Sequence, residues 1–145
     1  MPADAQVLAR RAAVVAICEP AARSVITRVT DEAVNAANIF GLTRDKANSY
    51  ADGVLSTLPA AFDAMRLPDG PERDAGIDAL AAKVRAVSNT HHVPGIVERG
   101  LTKIAVRIAR EVVRRGAPAQ NFTPDELERE FVAFAEQLEM RLNAD

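Results

Sequence analysis

Apolar residues recur at intervals of three and four along almost the whole chain, and this spacing is the strongest constraint on its fold. Such intervals place side chains on one face of an α-helix, whereas a half-buried strand alternates apolar and polar residues at every second position. The segments between the helical stretches are short and rich in proline and glycine, with no strand pattern. The sequence therefore predicts an all-α protein, with a single domain over residues 1–145.

Proline and glycine set the expected ends of the helices, because proline interrupts a helix and glycine commonly follows its last turn. Breaks are expected at Glu19–Pro20 and at Phe40–Gly41, a kink or a split at Pro59, and a loop over Leu67–Pro71. The first three predicted helices run from 4 to 18, from 20 to about 38, and from Thr43 through Met65. The fourth follows the loop and ends at His91. The last two run from Gly95 to about 115 and from Thr123 through Leu142.

The overall composition is that of an ordinary globular protein, with 26% charged residues and a net charge of −2. This balance gives no general attraction to nucleic acid or to an anionic membrane. No apolar run reaches the roughly 20 residues that cross a bilayer. Cys18 is the only cysteine, so a disulfide within the chain is excluded and a reducing, cytoplasmic location is expected. Cys18 itself is interpreted as a small buried core residue.

Basic residues follow one side of the fifth predicted helix, and acidic residues are frequent on the sixth. The basic positions are Arg99, Lys103, Arg107, Arg110 and Arg114. They could form a site for an anion or a partner, or a solvated face with ion pairs to the next helix. We favour the solvated face, because no aromatic residues lie between the basic ones and the net charge is not positive.

Both histidines of the chain stand at the end of the fourth predicted helix. His91 lies seven residues after Val84, so it falls on the same inward face, and His92 is rotated away by about 100°. Pro94 and Gly95 then stop the helix. The spacing alone leaves two interpretations of His91: a metal ligand, or a hydrogen-bonded histidine at a helix end.

Three short motifs along the chain resemble the globin family, in particular bacterial single-domain globins and globin-type sensor domains. The segment His91–Ile96 is similar to the one that follows the proximal histidine of globins. Gly116 and Asn121–Glu126 are similar to the end of the seventh globin helix and the start of the eighth. Phe40, Tyr50 and Val54 are similar to the heme-stacking phenylalanine and two distal-pocket positions. The resemblance implies a globin-like bundle of about six to eight helices.

The resemblance also implies a cofactor site, namely heme b with its iron bound by His91. In this interpretation Phe40 stacks on the porphyrin, Val54 crowds the gas side, and Tyr50 donates a hydrogen bond to bound dioxygen. Val97, Ile104 and Phe134 complete the expected pocket. The sequence departs from the family pattern at the position that often carries a tyrosine on the second helix, since Ile26 stands there.

The expected function is binding of a diatomic gas (O₂, NO or CO) for oxygen transport or storage, detoxification or sensing. The alternative is a heme-free globin-like sensor or regulatory interaction domain, acting as a homodimer or with a fused or associated signalling domain. An unrelated helical bundle is favoured if the fifth and sixth helices do not pair in antiparallel fashion beside the His91 helix. We expect no dedicated enzyme, because no reductase domain is present and redox turnover would need a separate partner.

Overall fold

The computed structural model describes residues 3–37, 43–92, 95–116 and 121–144. Within these ranges every regular element is an α-helix, and the all-α prediction is confirmed. The six helices are α1 (Ala3–Ala37), α2 (Arg44–Leu55), α3 (Leu58–Arg66), α4 (Pro71–Thr90), α5 (Gly95–Gly116) and α6 (Pro124–Leu142). Over the described ranges, no helix combines the length and the apolar character that crossing a bilayer requires.

Helix α1 is continuous through Pro20, so the predicted break at Glu19–Pro20 is wrong. A proline inside a helix removes one hydrogen bond to the carbonyl four residues earlier, which here belongs to Ala16. Ala16 and Pro20 are both exposed, so water can hydrogen-bond that carbonyl. The single long helix thus replaces the two shorter ones that the sequence predicted.

The predicted break at Phe40–Gly41 lies outside the described residues, but the predicted boundaries at Thr43, Pro59 and Thr123 are confirmed, and each has a local physical cause. The hydroxyl oxygen of Thr43 accepts a hydrogen bond from the Lys46 backbone N–H at 3.3 Å, and that of Thr123 accepts one from Glu126 at 3.2 Å. Both threonines therefore cap a helix N-terminus. Pro59 lies in the first turn of α3 and splits the predicted third helix into α2 and α3.

Helix α1 occupies the centre of the molecule and packs against α2, α3, α5 and α6, while α4 packs against α2, α3 and α6. At the crossing of α1 and α5 the helices approach closely, because a Cβ added to Gly116 would lie 2.9 Å from Cγ2 of Ile17. The most deeply buried side chains come from four helices, α1, α4, α5 and α6. They are Val14, Val15, Ile77, Leu80, Val113 and Leu127.

Helices α5 and α6 form an antiparallel pair, since ion pairs join the end of α5 to the start of α6. Arg114 lies 2.8 Å from Glu128 and 3.4 Å from Asp125, and Arg110 lies 2.6 Å from Glu128. The interpretation of the basic face as a solvated surface paired with the next helix is therefore confirmed at Arg110 and Arg114. Such exposed pairs each stabilise a fold by at most about 1 kcal/mol.

Cys18 lies on α1 and is buried in the hydrophobic core of the protein, as predicted. Burial disfavours the charged thiolate and raises the pKa of the Cys18 thiol to about 12. A thiol with such a high pKa is a poor nucleophile near neutral pH. Cys18 therefore acts as a packing residue.

Candidate functional site

The predicted distal and proximal residues meet where α2 crosses the end of α4, in a group that we call the tyrosine cluster: Tyr50, Ser88 and His91. The Tyr50 hydroxyl lies 3.2 Å from Oγ of Ser88, a hydrogen bond between two buried side chains. The rings of Tyr50 and His91 are 6.3 Å apart between centroids, with an interplanar angle of 78°. The edge of one ring thus faces the other.

His91 also ends α4, where it is the C-cap residue and is half-buried. Its backbone N–H donates to the carbonyl of Val87 at 3.1 Å, and that of His92 donates to Asn89 at 3.2 Å. His92 is exposed and has a φ of 55°, the left-handed conformation that commonly follows a helix. The backbone at the end of α4 therefore turns His92 to solvent and leaves His91 beside α2.

A heme at this site would need space between His91 and the distal residues for the macrocycle and for a bound gas. The described residues leave no such space, because α2 and α4 are in direct contact. A Cβ added to Gly53 would lie 2.6 Å from Cγ1 of Val87, and Tyr50 is hydrogen-bonded to Ser88 one turn before His91. In this conformation the residues do not fit a heme between Tyr50 and His91. The heme therefore stays a prediction, and it would require α2 and α4 to separate.

Of the other predicted heme contacts, Phe134 lies away from the tyrosine cluster. Phe40 lies outside the described residues, as does the side chain of Val97. Val54 on α2 and Ile104 on α5 are half-buried. Phe134 is buried on α6 beneath Arg73, near the start of α4. Because Arg73 and His91 are separated along the helix by about 27 Å, at about 1.5 Å per residue, Phe134 does not share a site with His91.

A second group of polar residues, which the sequence interpretation missed, lies at the start of α4. We call it the arginine cluster: Arg10, Arg11, Asp69, Arg73 and Glu130. The Arg11 side chain is 9% exposed and lies 2.8 Å from Asp69 and 3.2 Å from Glu130. Arg10 lies 3.3 Å from Glu130 as well. The cluster joins α1, α4, α6 and the loop between α3 and α4.

Arg73 is the most deeply buried member of the arginine cluster. Its Nη1 donates to the carbonyls of Ala64, Met65 and Leu67 at 2.9, 3.2 and 3.3 Å. These carbonyls lie at the end of α3, where a helix leaves acceptors unpaired. Its guanidinium stands 5.4 Å from the centroid of the Phe134 ring. Burial, followed by the repulsion of Arg11, lowers the pKa of Arg73.

The sequence does contain a signal for both buried arginines. Arg11 precedes Val15 and Cys18 by four and seven residues, and Arg73 precedes Ile77 and Leu80 by the same intervals. Each arginine therefore continues the inward face of its helix. A charged residue on such a face is buried only when it is paired or hydrogen-bonded.

Within the described residues, no group of three or more His, Cys, Asp or Glu side chains could hold a metal ion. No family model, no curated protein and no solved structure matches this chain. The globin resemblance therefore stays a prediction, and the function has to be inferred from the tyrosine cluster and the arginine cluster.

Proposed function

We propose that this protein is a heme-free, globin-like sensor or regulatory interaction domain. The observation that carries the proposal is the direct packing of α2 on α4 at Gly53 and Val87, together with the hydrogen bond between the Tyr50 and Ser88 hydroxyl groups. These contacts support a heme-free domain, because a macrocycle beside His91 would require α2 and α4 to separate. The packing of the helices still supports a globin-like arrangement, since α5 and α6 form an antiparallel pair and α6 packs against α4.

A regulatory domain needs an element with two arrangements whose balance a ligand or a partner can shift. The contact between α2 and α4 is suited to this role, because it includes a buried hydrogen bond, a ring contact and a close helix approach, and none of these is an ion pair. A hydrogen bond of this kind contributes about 1 kcal/mol net. Opening of α2 would expose Ser88 and His91, and a ligand that binds the open form would favour it.

Absorption spectroscopy tests the heme-free proposal against its main competitor. We expect the purified protein to show no Soret band, to take up no stoichiometric hemin, and to show no spectral change with dithionite and carbon monoxide. A gas-binding heme globin would instead show a Soret band that is lost in His91→Ala and kept in His92→Ala. That second pattern would overturn the heme-free proposal and identify His91 as the iron ligand.

A further inference from the structure

The arginine cluster contains more buried positive charge than its carboxylates neutralise. Three arginines share two acidic partners, because Glu130 is paired with both Arg10 and Arg11, and Asp69 faces both Arg11 and Arg73. The Arg11 and Arg73 side chains are only 9% and 3% exposed, whereas Asp69 is 78% exposed. Buried cations need close anionic partners, and an exposed loop carboxylate supplies a weak one.

The two buried guanidinium groups converge on the same acceptors. The carbonyl oxygen of Leu67 accepts from Nη1 of Arg11 at 2.7 Å and from Nη1 of Arg73 at 3.3 Å. Oδ1 of Asp69 lies 2.8 Å from Nη2 of Arg11 but 3.9 Å from Nε of Arg73. One carboxylate oxygen therefore serves Arg11 well and stays too far from Arg73 for a hydrogen bond.

The Nε atom of Arg73 is left as a buried donor without a hydrogen-bond partner. A buried donor in this state destabilises the fold, and more so in a charged group, because it has lost its hydrogen bonds to water without gaining others. An oxyanion in the place of the Asp69 carboxylate could direct one oxygen to Arg11 and another to Arg73. Tetrahedral phosphate has enough oxygens for both, and guanidinium groups match its geometry.

We propose that Arg11 and Arg73 form a binding site for a phosphoryl group, either free phosphate or a terminal phosphate ester, which Asp69 covers when no ligand is bound. The exposed loop that carries Asp69 gives the ligand access from solvent. Asp69 is thus an internal competitor, and phosphate binds only after the carboxylate moves away. This site lies at the opposite end of α4 from His91 and does not depend on the heme-free proposal.

Phosphate titration of the wild type and of Asp69→Asn tests the competition directly. Asparagine keeps the shape of the side chain and its oxygen acceptor for Arg11 but removes the competing charge. Because a competitor reduces the apparent affinity by the fraction of sites it leaves open, we expect Asp69→Asn to bind phosphate about tenfold more tightly. Thermal unfolding and calorimetry at constant ionic strength measure this difference, with sodium chloride as the reference salt.

The controls separate a specific site from general effects of phosphate, which stabilises many proteins by exclusion from their surface. Arg114→Gln removes an exposed arginine paired with Glu128 and should leave the titration unchanged. Arg73→Lys keeps the charge but loses the planar donor pair, and it should abolish saturable binding. If Arg73→Lys does not fold, the comparison of phosphate affinity between the wild type and Asp69→Asn still tests the proposed site.

A direct signal comes from the Nε–H group of Arg73 in ¹⁵N-resolved NMR spectra. Phosphate should shift this resonance in a saturable manner. If the ligand is a phosphate ester, β-glycerophosphate should saturate the shift at a lower concentration than phosphate does. If the ligand is the free ion, β-glycerophosphate should require a higher concentration. An unshifted Arg73 signal, or equal phosphate responses in the wild type, Asp69→Asn and Arg114→Gln, would overturn the proposed site.

Discussion

The two ends of α4 both hold buried polar side chains, but they differ in charge and in the number of elements they join. At the start of the helix, Arg73 belongs to a charged cluster that connects α1, α6 and the end of α3. At its end, Ser88 and His91 contact Tyr50 of α2 through a hydrogen bond and an edge-to-face ring contact. The start of α4 is thus fixed by a network of ion pairs and hydrogen bonds, whereas a hydrogen bond and a ring contact join its last turn to α2.

This difference indicates which end is suited to conformational change. Removing a member of the arginine cluster is costly, because it leaves several buried polar groups without a hydrogen-bond partner at once. Breaking a neutral hydrogen bond costs far less. We therefore expect α2 to separate from α4 more readily than α4 separates from α3 and α6, and amide hydrogen exchange should be faster in α2 than at the start of α4.

The largest effect is expected from Arg73→Ala. The substitution removes three hydrogen bonds to the end of α3 and leaves a void beside Phe134, and we expect the free energy of unfolding to fall by about 3 to 5 kcal/mol. Chemical denaturation measures the change. The matched control is Arg66→Ala, which removes an exposed arginine with partners Glu19 and Asp63 and should cost less than about 1 kcal/mol. Equal losses in the two variants would show that the start of α4 is not specially fixed.

The next effect concerns the other end of the helix, where Gly53→Ala tests the contact between α2 and α4. The added methyl group would lie 2.6 Å from Cγ1 of Val87, so we expect a loss of about 1 to 3 kcal/mol. The double variant Gly53→Ala with Val87→Ala should recover part of that loss relative to the sum of the single changes.

The sign of the Gly53→Ala effect also bears on the heme prediction. If a macrocycle separated α2 from α4, the alanine would meet no neighbour and would stabilise the helix by up to about 1 kcal/mol. Stabilisation in denaturation experiments would therefore contradict the direct packing of the two helices and reopen the gas-binding function.

The helix boundaries that could be predicted from the sequence are those with local causes. Thr43 and Thr123 cap their helices through backbone groups three residues away, and Pro59 starts α3 by its own geometry. Pro20 misled the interpretation, because whether a helix continues through a proline depends on the packing and solvation of its neighbours, which sequence spacing does not report.

The polar clusters were less accessible to prediction, for a different physical reason. The globin resemblance predicts that Tyr50 and His91 face the same pocket, but their distance from each other depends on how α2 packs on α4. That packing is set by Gly53, whose missing side chain carries no periodic signal. The arginine cluster joins residues as far apart in sequence as Arg10 and Glu130, so only the tertiary fold brings its partners together.

A smaller effect is expected from Tyr50→Phe. This change keeps the ring beside His91 but removes the hydrogen bond to Ser88, and it should lower the free energy of unfolding by about 1 kcal/mol. Ser88→Ala serves as the partner variant in a double-mutant cycle. If the double variant loses less free energy of unfolding than the two single variants lose together, the hydrogen bond is verified. Strict additivity would mean that the two side chains do not interact.

The smallest effect, and one of opposite sign, is expected from His92→Gly. His92 has a φ of 55°, a conformation that costs most side chains about 1 kcal/mol or more, whereas glycine adopts it freely. Glycine also gains freedom in the unfolded chain, which offsets part of the benefit. We therefore expect a net stabilisation of about 0.5 kcal/mol in chemical denaturation. Asn89→Gly is the control, because Asn89 is exposed within the last turn of α4 and has a helical conformation. Glycine at this position should lower the free energy of unfolding by about 0.5 kcal/mol. If both variants lost stability equally, the end of α4 would lack the left-handed turn that directs His92 to solvent and leaves His91 beside Tyr50.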